Sequence, residues 1–394
     1  MSRIVHDLTL AKPDYAGGSI VNLMRSIGDA YGAAATPYAP FAGIEERLRE
    51  AERIVLLVID GLGEEFLQSA GRDTVFASQH CAQMTSVYPP TTASAITTFM
   101  TGLAPQQHGL TGWFMHFRAI GAVTAVLPFV PRFGSTSLCD SGVTTTSLIG
   151  GPNFFDTLDC PSAALLPEAI YDSEFSRLFG GRADRKPYTA LNDFVRKLDR
   201  YCTGDGDARY VYAYWSELDR LSHLHGPSSP FVGAHIDELD KALAPLIERC
   251  ADSGTLLIVT ADHGFIDSGA SERIDLADHP ELVAMLSLPL CGEPRSAYCY
   301  VRPQCTHAFE QYVGSELANV ARLVPSEQLI DEGWFGLGVP HSELSARIGD
   351  YTLQMRDRYT VTDTLPGEKR LNMKGVHGGT AVAELYVPLI LAGP

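Results

Sequence analysis

Short, wholly apolar runs alternate along the chain with longer amphipathic stretches, and this alternation sets the expected architecture. Five runs bounded by turn residues read as strands: Ile54 to Ile59, Val123 to Leu127, Tyr210 to Tyr214, Thr255 to Thr260 and Leu385 to Leu391. A strand that is apolar at every position, rather than at alternate ones, must be covered on both faces. That is the condition of a parallel sheet flanked by helices. Between the runs the period becomes helical: Leu191, Phe194, Val195 and Leu198 share one side of the stretch Ala190 to Tyr201. Ile236, Leu239, Leu243 and Leu246 or Ile247 share one side of Phe231 to Cys250. The pattern predicts an α/β fold, a doubly wound, mostly parallel sheet with helices on both faces, whose ligands bind beyond the carboxyl ends of the strands.

Two regions depart from it. Residues 1–50, rich in Ala, Gly and Pro with one helical patch from Ile20 to Ile27, predict an N-terminal extension packed on the core. Pro289, Pro294, Pro303, Pro325 and Pro340, with a strand–helix pair between Ala297 and Val320, mark 271–354 as a smaller inserted α+β cap. The core is then 51–270 and 355–394.

Residues of one chemical kind collect at the strand ends. Asp60 follows the first run directly, Asp262 follows another after Ala261, and Asp219 comes shortly after a third. The sheet geometry therefore predicts three carboxylates at one edge. Asp219 and His223, four residues apart, share a helical face. Asp262 and His263 leave a strand just before Gly264, which lets the backbone turn, and His377 precedes the pair Gly378-Gly379 on a tight loop. Mixed Asp/His sets suit zinc, although a surface Asp–His pair or a plain strand exit would explain each fragment alone. In YPPTTASAITTFMTG the prolines end one element and small residues open the next, which predicts Thr92 at a helix N-terminus. Free amides and the positive end of the dipole there favour a phosphate oxygen; Thr91 or Thr92 could equally be an ordinary helix cap.

Composition narrows the partners. The 394 residues carry a net charge of −17 without any Lys/Arg run, which argues against a nucleic-acid polymer. A small phosphate remains admissible, because metal ions bound by such Asp/His sets dominate the local potential whatever the global charge. Eight cysteines lie scattered without CxxC spacing, as in a reducing compartment. No secretory pattern opens the chain, and no run approaches the roughly 18 apolar residues of a membrane span. A cytoplasmic protein without a membrane partner is the expectation.

The ordered set Asp60, Thr92, Asp219-x-x-x-His223, Asp262-His263 and His377 resembles the alkaline phosphatase superfamily, specifically its nucleotide pyrophosphatase/phosphodiesterase (type I phosphodiesterase) branch. TTASAITTFMTGLAPQQHGLTGW is similar to that branch's nucleophile segment, and DRLSHLHGP to its D-x-x-G-H-x-x-G-P element; the likeness spans about residues 53–265 and 374–391. It implies a hydrolase of phosphodiesters or nucleotide pyrophosphates with two zinc ions. Asp219, His223 and His377 would hold one, and Asp60, Asp262, His263 and Thr92 the other. Such ions sit roughly 3.5–4 Å apart. Thr92 would attack in line to give a phosphothreonine, which a second step hydrolyses with retention at phosphorus. The branch usually carries an asparagine three residues after the nucleophile to hold a phosphoryl oxygen; here that residue is Ala95, so either another group, such as a backbone amide near Thr92, substitutes or the substrate differs. Trp113 and Phe114 could stack on a base or line an apolar leaving-group pocket, although aromatics more often belong to cores.

No basic residue flanks Thr92, which disfavours a phosphomonoesterase, and TTASA lacks the C/S-x-P-x-R motif of sulfatases. A phosphonoacetate-type hydrolase shares the threonine and both metals and is the alternative. A non-catalytic metal-binding protein is disfavoured because every expected ligand position is filled.

Overall fold

The computed structural model describes residues 10–134, 136–149, 151–204, 206–250, 252–370 and 372–394; the first nine residues of the expected N-terminal extension lie outside them. A seven-stranded sheet forms the centre, in the order His80–Thr85, Tyr386–Ala392, Thr255–Thr260, Arg53–Ile59, Tyr210–Trp215, Ser162–Pro167 and Asp184–Tyr188. The last five are mutually parallel. Arg53–Ile59 lies in the middle, buried from Ile54 to Ile59, as its unbroken apolar run requires. Leu191–Cys202 and the 21-residue helix Pro230–Cys250 cover the sheet with the predicted apolar faces.

Two predicted strands are placed differently. Tyr386–Ala392 is antiparallel to both its neighbours. It follows the His377 loop after only a four-residue helix, Val382–Leu385, and a parallel return would need a crossover of a dozen or more residues. Ala122–Ala125 is not in the central sheet at all. It pairs antiparallel with Phe114–Phe117 in a second seven-stranded sheet, ordered Ala321–Pro325, Tyr351–Met355, Ser296–Cys299, Cys291–Glu293, Phe114–Phe117, Ala122–Ala125 and Val130–Pro131. Its apolar run is buried by this second layer rather than by helices. The region 271–354 thus supplies only part of that sheet, and three strands come from 114–131, far earlier in the chain.

The N-terminal helix Ile20–Ala30 caps the core rather than standing apart. Tyr15, Ile20, Leu23, Met24 and Ile27 belong to the same buried cluster as Val55, Leu57 and Ile258, and the Thr85 amide donates to the Gly18 carbonyl at 2.8 Å.

Candidate functional site

Register places the acidic residues. Ile59 lies beside Trp215 and Val58 beside Thr260, so Asp60, the start of the helix Glu217–His225 and Asp262 leave the sheet at one edge. Asp219 is in the first turn of that helix and His223 one turn later, with 3.4 Å between Asp219 Oδ1 and His223 Nε2. His377 reaches the cluster from the loop after Gly375–Val376, a short strand paired antiparallel with Ile266–Asp267, its Nε2 3.9 Å from the same Asp219 oxygen. His263 Nε2 stands at the middle, 3.3 Å from Asp60 Oδ1, 3.4 Å from Asp262 Oδ2 and 3.2 Å from Thr92 Oγ1. All seven sequence-predicted groups meet in one continuous cluster.

The histidines are held in one tautomer. Nδ1 of His223 lies 2.9 Å from the Gly375 carbonyl, Nδ1 of His263 3.1 Å from the Gly264 carbonyl, and Nδ1 of His377 3.2 Å from the Pro90 carbonyl. A carbonyl only accepts, so each Nδ1 donates to its carbonyl, which turns each Nε2 towards the carboxylates. The carboxylates are positioned in the same manner. Asp262 Oδ1 accepts from the amides of Gly61 and His263, and Asp60 Oδ2 accepts from the Tyr214 hydroxyl.

The remaining oxygens, Asp60 Oδ1, Asp219 Oδ1 and Asp262 Oδ2, are buried without any hydrogen-bond partner. Three orphaned carboxylate oxygens facing three imidazole Nε2 atoms form a buried polar cluster that costs energy unless a proton or a metal cation lies between them. Ligand atoms of Asp219, His263 and His377, and of Asp60, Asp262 and His263, fall within 4.8 Å of one another in two groups sharing His263. The residues fit a pair of divalent ions. Their titration reflects the same frustration: burial, then the charges of Asp219 and Asp262, raise the Asp60 carboxyl well above its usual range. Burial lifts Asp219 to about 7, while burial and the two other imidazoles hold His377 well below its ordinary value.

Thr92 is the first residue of the helix Thr92–Thr101, as predicted. Thr91 stands at the cap position with extended backbone angles, yet its side chain makes no capping bond; its hydroxyl donates instead to Glu293 Oε1 at 2.7 Å. Two glycines work in ways the sequence shows only in part. Gly264 is required by close approach, since a Cβ there would lie 2.0 Å from the Ala383 carbonyl, and not by a special turn angle. Gly378 has φ +95, the left-handed region expected of the tight loop.

A cavity of about 590 Å³ opens over Thr92, Asp219, His223 and His377, and is walled by Trp113, Phe114, Leu290 and Val361 among others. Both predicted aromatics therefore face the site. Arg132 lies 4.3 Å over the Phe114 ring and is committed to Glu368 and the Leu290 and Asp363 carbonyls. His225 stays outside the cluster, stacked on Phe231 at 4.6 Å.

Sequence reasoning missed Glu293, Tyr214 as a partner of Asp60, and Phe265, whose ring packs 5.0–5.4 Å from all three ligand imidazoles. Phe265 carried a signal, as the residue after Asp262-His263-Gly264. Glu293 carried none, because it arrives from another sheet.

Comparison with known proteins places the fold and the family. The chain is 26% identical over 163 residues to ectonucleotide pyrophosphatase/phosphodiesterase family member 5 of Homo sapiens, a match covering 37% of this chain and 34% of that protein. It is 30% identical over 90 residues to the human GPI ethanolamine phosphate transferase 2 catalytic subunit, covering 21% of this chain and 9% of that one. The chain thus spans about a third or less of the length of these relatives. Among solved structures, murine ectonucleotide pyrophosphatase/phosphodiesterase 5 superposes with a TM-score of 0.64 at 18% identity, over 87% of this chain and 88% of the other; an inactive variant of it has been solved in complex with AMP at the same similarity. The profile of the type I phosphodiesterase / nucleotide pyrophosphatase family matches residues 54–131 and 140–380, most of the chain, and the protein belongs to that family.

Proposed function

We propose that the protein is a two-zinc hydrolase of phosphodiester or nucleotide pyrophosphate bonds acting through a phosphothreonine at Thr92. The observation that carries this reading is the set of orphaned carboxylate oxygens facing imidazole Nε2 atoms, one of which, His263 Nε2, lies 3.2 Å from the Thr92 hydroxyl at a helix N-terminus without a side-chain cap. Asp219, His223 and His377 would hold one ion, and Asp60, Asp262, His263 and Thr92 the other. Zinc bound there lowers the pKa of the Thr92 hydroxyl and draws charge from the phosphoryl oxygens. The Thr92 hydroxyl loses its proton to solvent and attacks phosphorus in line, and the ester or pyrophosphate oxygen leaves with the bonding pair, giving the phosphothreonine. Water then attacks phosphorus and gives up a proton, the Thr92 oxygen leaves and is reprotonated, and phosphorus regains its configuration. Amides of the first turn after Thr92 offer phosphoryl oxygens the donors that Ala95 lacks.

The cavity supports a diester or pyrophosphate over a monoester. Of its basic lining groups, Arg132 is already paired with Glu368 and Lys369 is exposed, so the second charge of a monoester dianion finds no committed partner beside Thr92. A small nucleotide is a fitting substrate: Trp113 and Phe114 offer ring surface, and a fold relative has been captured with AMP. Eight free cysteines support a reducing, cytoplasmic setting. No helix among the described residues is long and apolar enough to cross a membrane. The test is a panel of nitrophenyl esters with zinc supplied. Turnover of thymidine monophosphate and bis-phosphate diesters should exceed that of the simple monoester and disappear in Thr92→Ala; the reverse substrate order would make the protein a monoesterase.

A further inference from the structure

The N-cap position of the Thr92–Thr101 helix poses a question that the phosphoryl-transfer reading leaves open. A threonine at a helix cap ordinarily accepts a hydrogen bond from the second or third amide of the helix. Thr91 has the backbone for it, φ −144 and ψ 151, but not the bond. Glu293 intervenes: its Oε1 accepts from the Thr91 hydroxyl at 2.7 Å and from the Trp113 amide at 2.7 Å.

Glu293 is itself firmly held. It is 7% exposed and ends the strand Cys291–Glu293, whose turn into Ser296–Cys299 is fastened on both sides. Arg295 makes a buried two-point pair with Glu384, at 3.1 and 2.9 Å, and Glu384 in turn accepts from the Gly379 amide. Ser296 Oγ donates to the Gly378 carbonyl at 2.6 Å. On the other side Gly112 allows the backbones to close, since a Cβ there would lie 2.7 Å from Gly292. The carboxylate can therefore not follow Thr91 if the hydroxyl rotates towards the helix.

We propose that Glu293 is a positioning residue that keeps the Thr91 hydroxyl off the first turn of the Thr92–Thr101 helix, so that the amides there are open to the phosphoryl oxygens of the substrate. The helix end is aimed at a ligand on independent grounds: Asp60 Oδ1 and Asp262 Oδ2, both buried and unpartnered, lie around His263 Nε2, 3.2 Å from Thr92 Oγ1. Ala95, one turn in, brings no competing or assisting donor. Released from Glu293, Thr91 needs only a rotation about χ1 to cap the helix and occupy one of those amides. The inference rests on the phosphoryl-transfer reading, but it concerns oxyanion binding and not the bond that breaks.

That difference allows separate tests on the zinc-loaded protein: diester kinetics, and calorimetric titration with inorganic phosphate. Glu293→Ala should lower kcat by about 100-fold, the loss of roughly one oxyanion donor, and phosphate affinity by about 30-fold, the loss of one hydrogen bond to a charged group, with KM for the diester changing less than kcat. Glu293→Gln, whose amide oxygen still accepts from both donors, should restore both to within about three-fold. The decisive variant is Glu293→Ala combined with Thr91→Ala. With no hydroxyl left to cap the helix, phosphate affinity should recover to within about five-fold of the unsubstituted protein, whereas a carboxylate that merely supported the loop would leave the double variant as weak as the single one. Equal phosphate binding in the single and double variants overturns the proposal, as does a folded Glu293→Ala protein that binds phosphate normally. Glu293→Met, similar in volume but a poor acceptor, replaces Glu293→Ala in both arms where the smaller side chain prevents folding. A protein that binds phosphate but turns over no diester defeats the functional reading, and the phosphate titrations then decide this one alone.

Discussion

Replacing Asp262 by asparagine should stabilise the metal-free protein and destabilise the zinc-bound one. Asp262 is fully buried; Oδ1 accepts from two amides and Oδ2 has no partner. Asparagine keeps the accepting oxygen and turns an NH₂ donor towards His263 Nε2, 3.4 Å away, while removing a buried charge that opposes ionisation of Asp60 and Asp219. Satisfying a buried orphan is worth about 1–3 kcal/mol. Zinc reverses the balance, because an amide nitrogen with its protons in place is no ligand. At free zinc 100-fold above Kd, each ion adds about 2.7 kcal/mol, so two add about 5 kcal/mol. Unfolding entropy for 394 residues is about 0.8 kcal/mol per degree, which makes the zinc-induced rise in Tm about 6 °C with both sites filled and about 3 °C with one. Scanning calorimetry in chelator and in buffered zinc reads both. Taking the middle of the range for a satisfied orphan, the asparagine variant should melt about 2 °C above the unsubstituted protein in chelator and about 1 °C below it in zinc. In zinc it gains about 3 °C and the unsubstituted protein about 6 °C. A variant that melts lower under both conditions by the same margin would refute the reasoning, since the carboxylate would then be a structural group with no cation to receive.

Thr92→Ala should retain folding and most of the zinc-induced rise in Tm while losing at least about ten-thousand-fold in kcat, as when a nucleophile is removed; metal analysis and steady-state kinetics on one preparation check both. Tyr214→Phe withdraws the hydroxyl from Asp60 Oδ2 and should cost about 1–3 kcal/mol in urea unfolding, with zinc affinity falling about 10- to 100-fold by chelator competition. His108 is buried between Thr98 Oγ1 at 3.2 Å and the Leu110 amide at 3.1 Å, and burial beside Arg347 and His341 lowers its pKa to about 3. The folded state resists a proton that the unfolded chain takes up near 6.5, so this histidine's contribution is complete above pH 6.5 and is lost as pH falls towards 3. At pH 4.5 the loss is about 2–3 kcal/mol, and His108→Asn, whose oxygen can replace Nδ1, should show a correspondingly shallower decline in stability between pH 7 and 4.5.

The central sheet was legible because burial on both faces writes itself into the sequence. Ile54–Ile59 and Thr255–Thr260 admit no polar residue that would blur their limits apart from threonine. The same signal misled at Val123–Leu127 and Leu385–Leu391, since an apolar run states that a strand is covered but not by what, nor in which direction it runs. Direction at Tyr386–Ala392 is set by the length of the connection before it. The sheet joining 114–131 to 291–355 depends on pairings across more than 150 residues, for which local periodicity holds no information.

The site divides along a related line. Metal-ligand chemistry demands specific side chains, so Asp60, Asp219, His223, Asp262, His263 and His377 were visible as types before they were visible as neighbours, and strand ends supplied the reason for their meeting. The groups that orient them need only offer an acceptor or a donor at one point in space. A backbone carbonyl does so for each histidine, a tyrosine hydroxyl for Asp60 and a glutamate for Thr91, and such duties leave many residue types acceptable. Glu293 is the sharpest case. In sequence it is one acidic residue in a region read as a cap, while in space it determines whether Thr91 caps a helix or leaves its amides open beside the nucleophile. In the proposed phosphoryl transfer the Asp and His cluster would hold the metal ions, and the residues that orient it, drawn from both sheets, would set how well the site can bind a phosphoryl group.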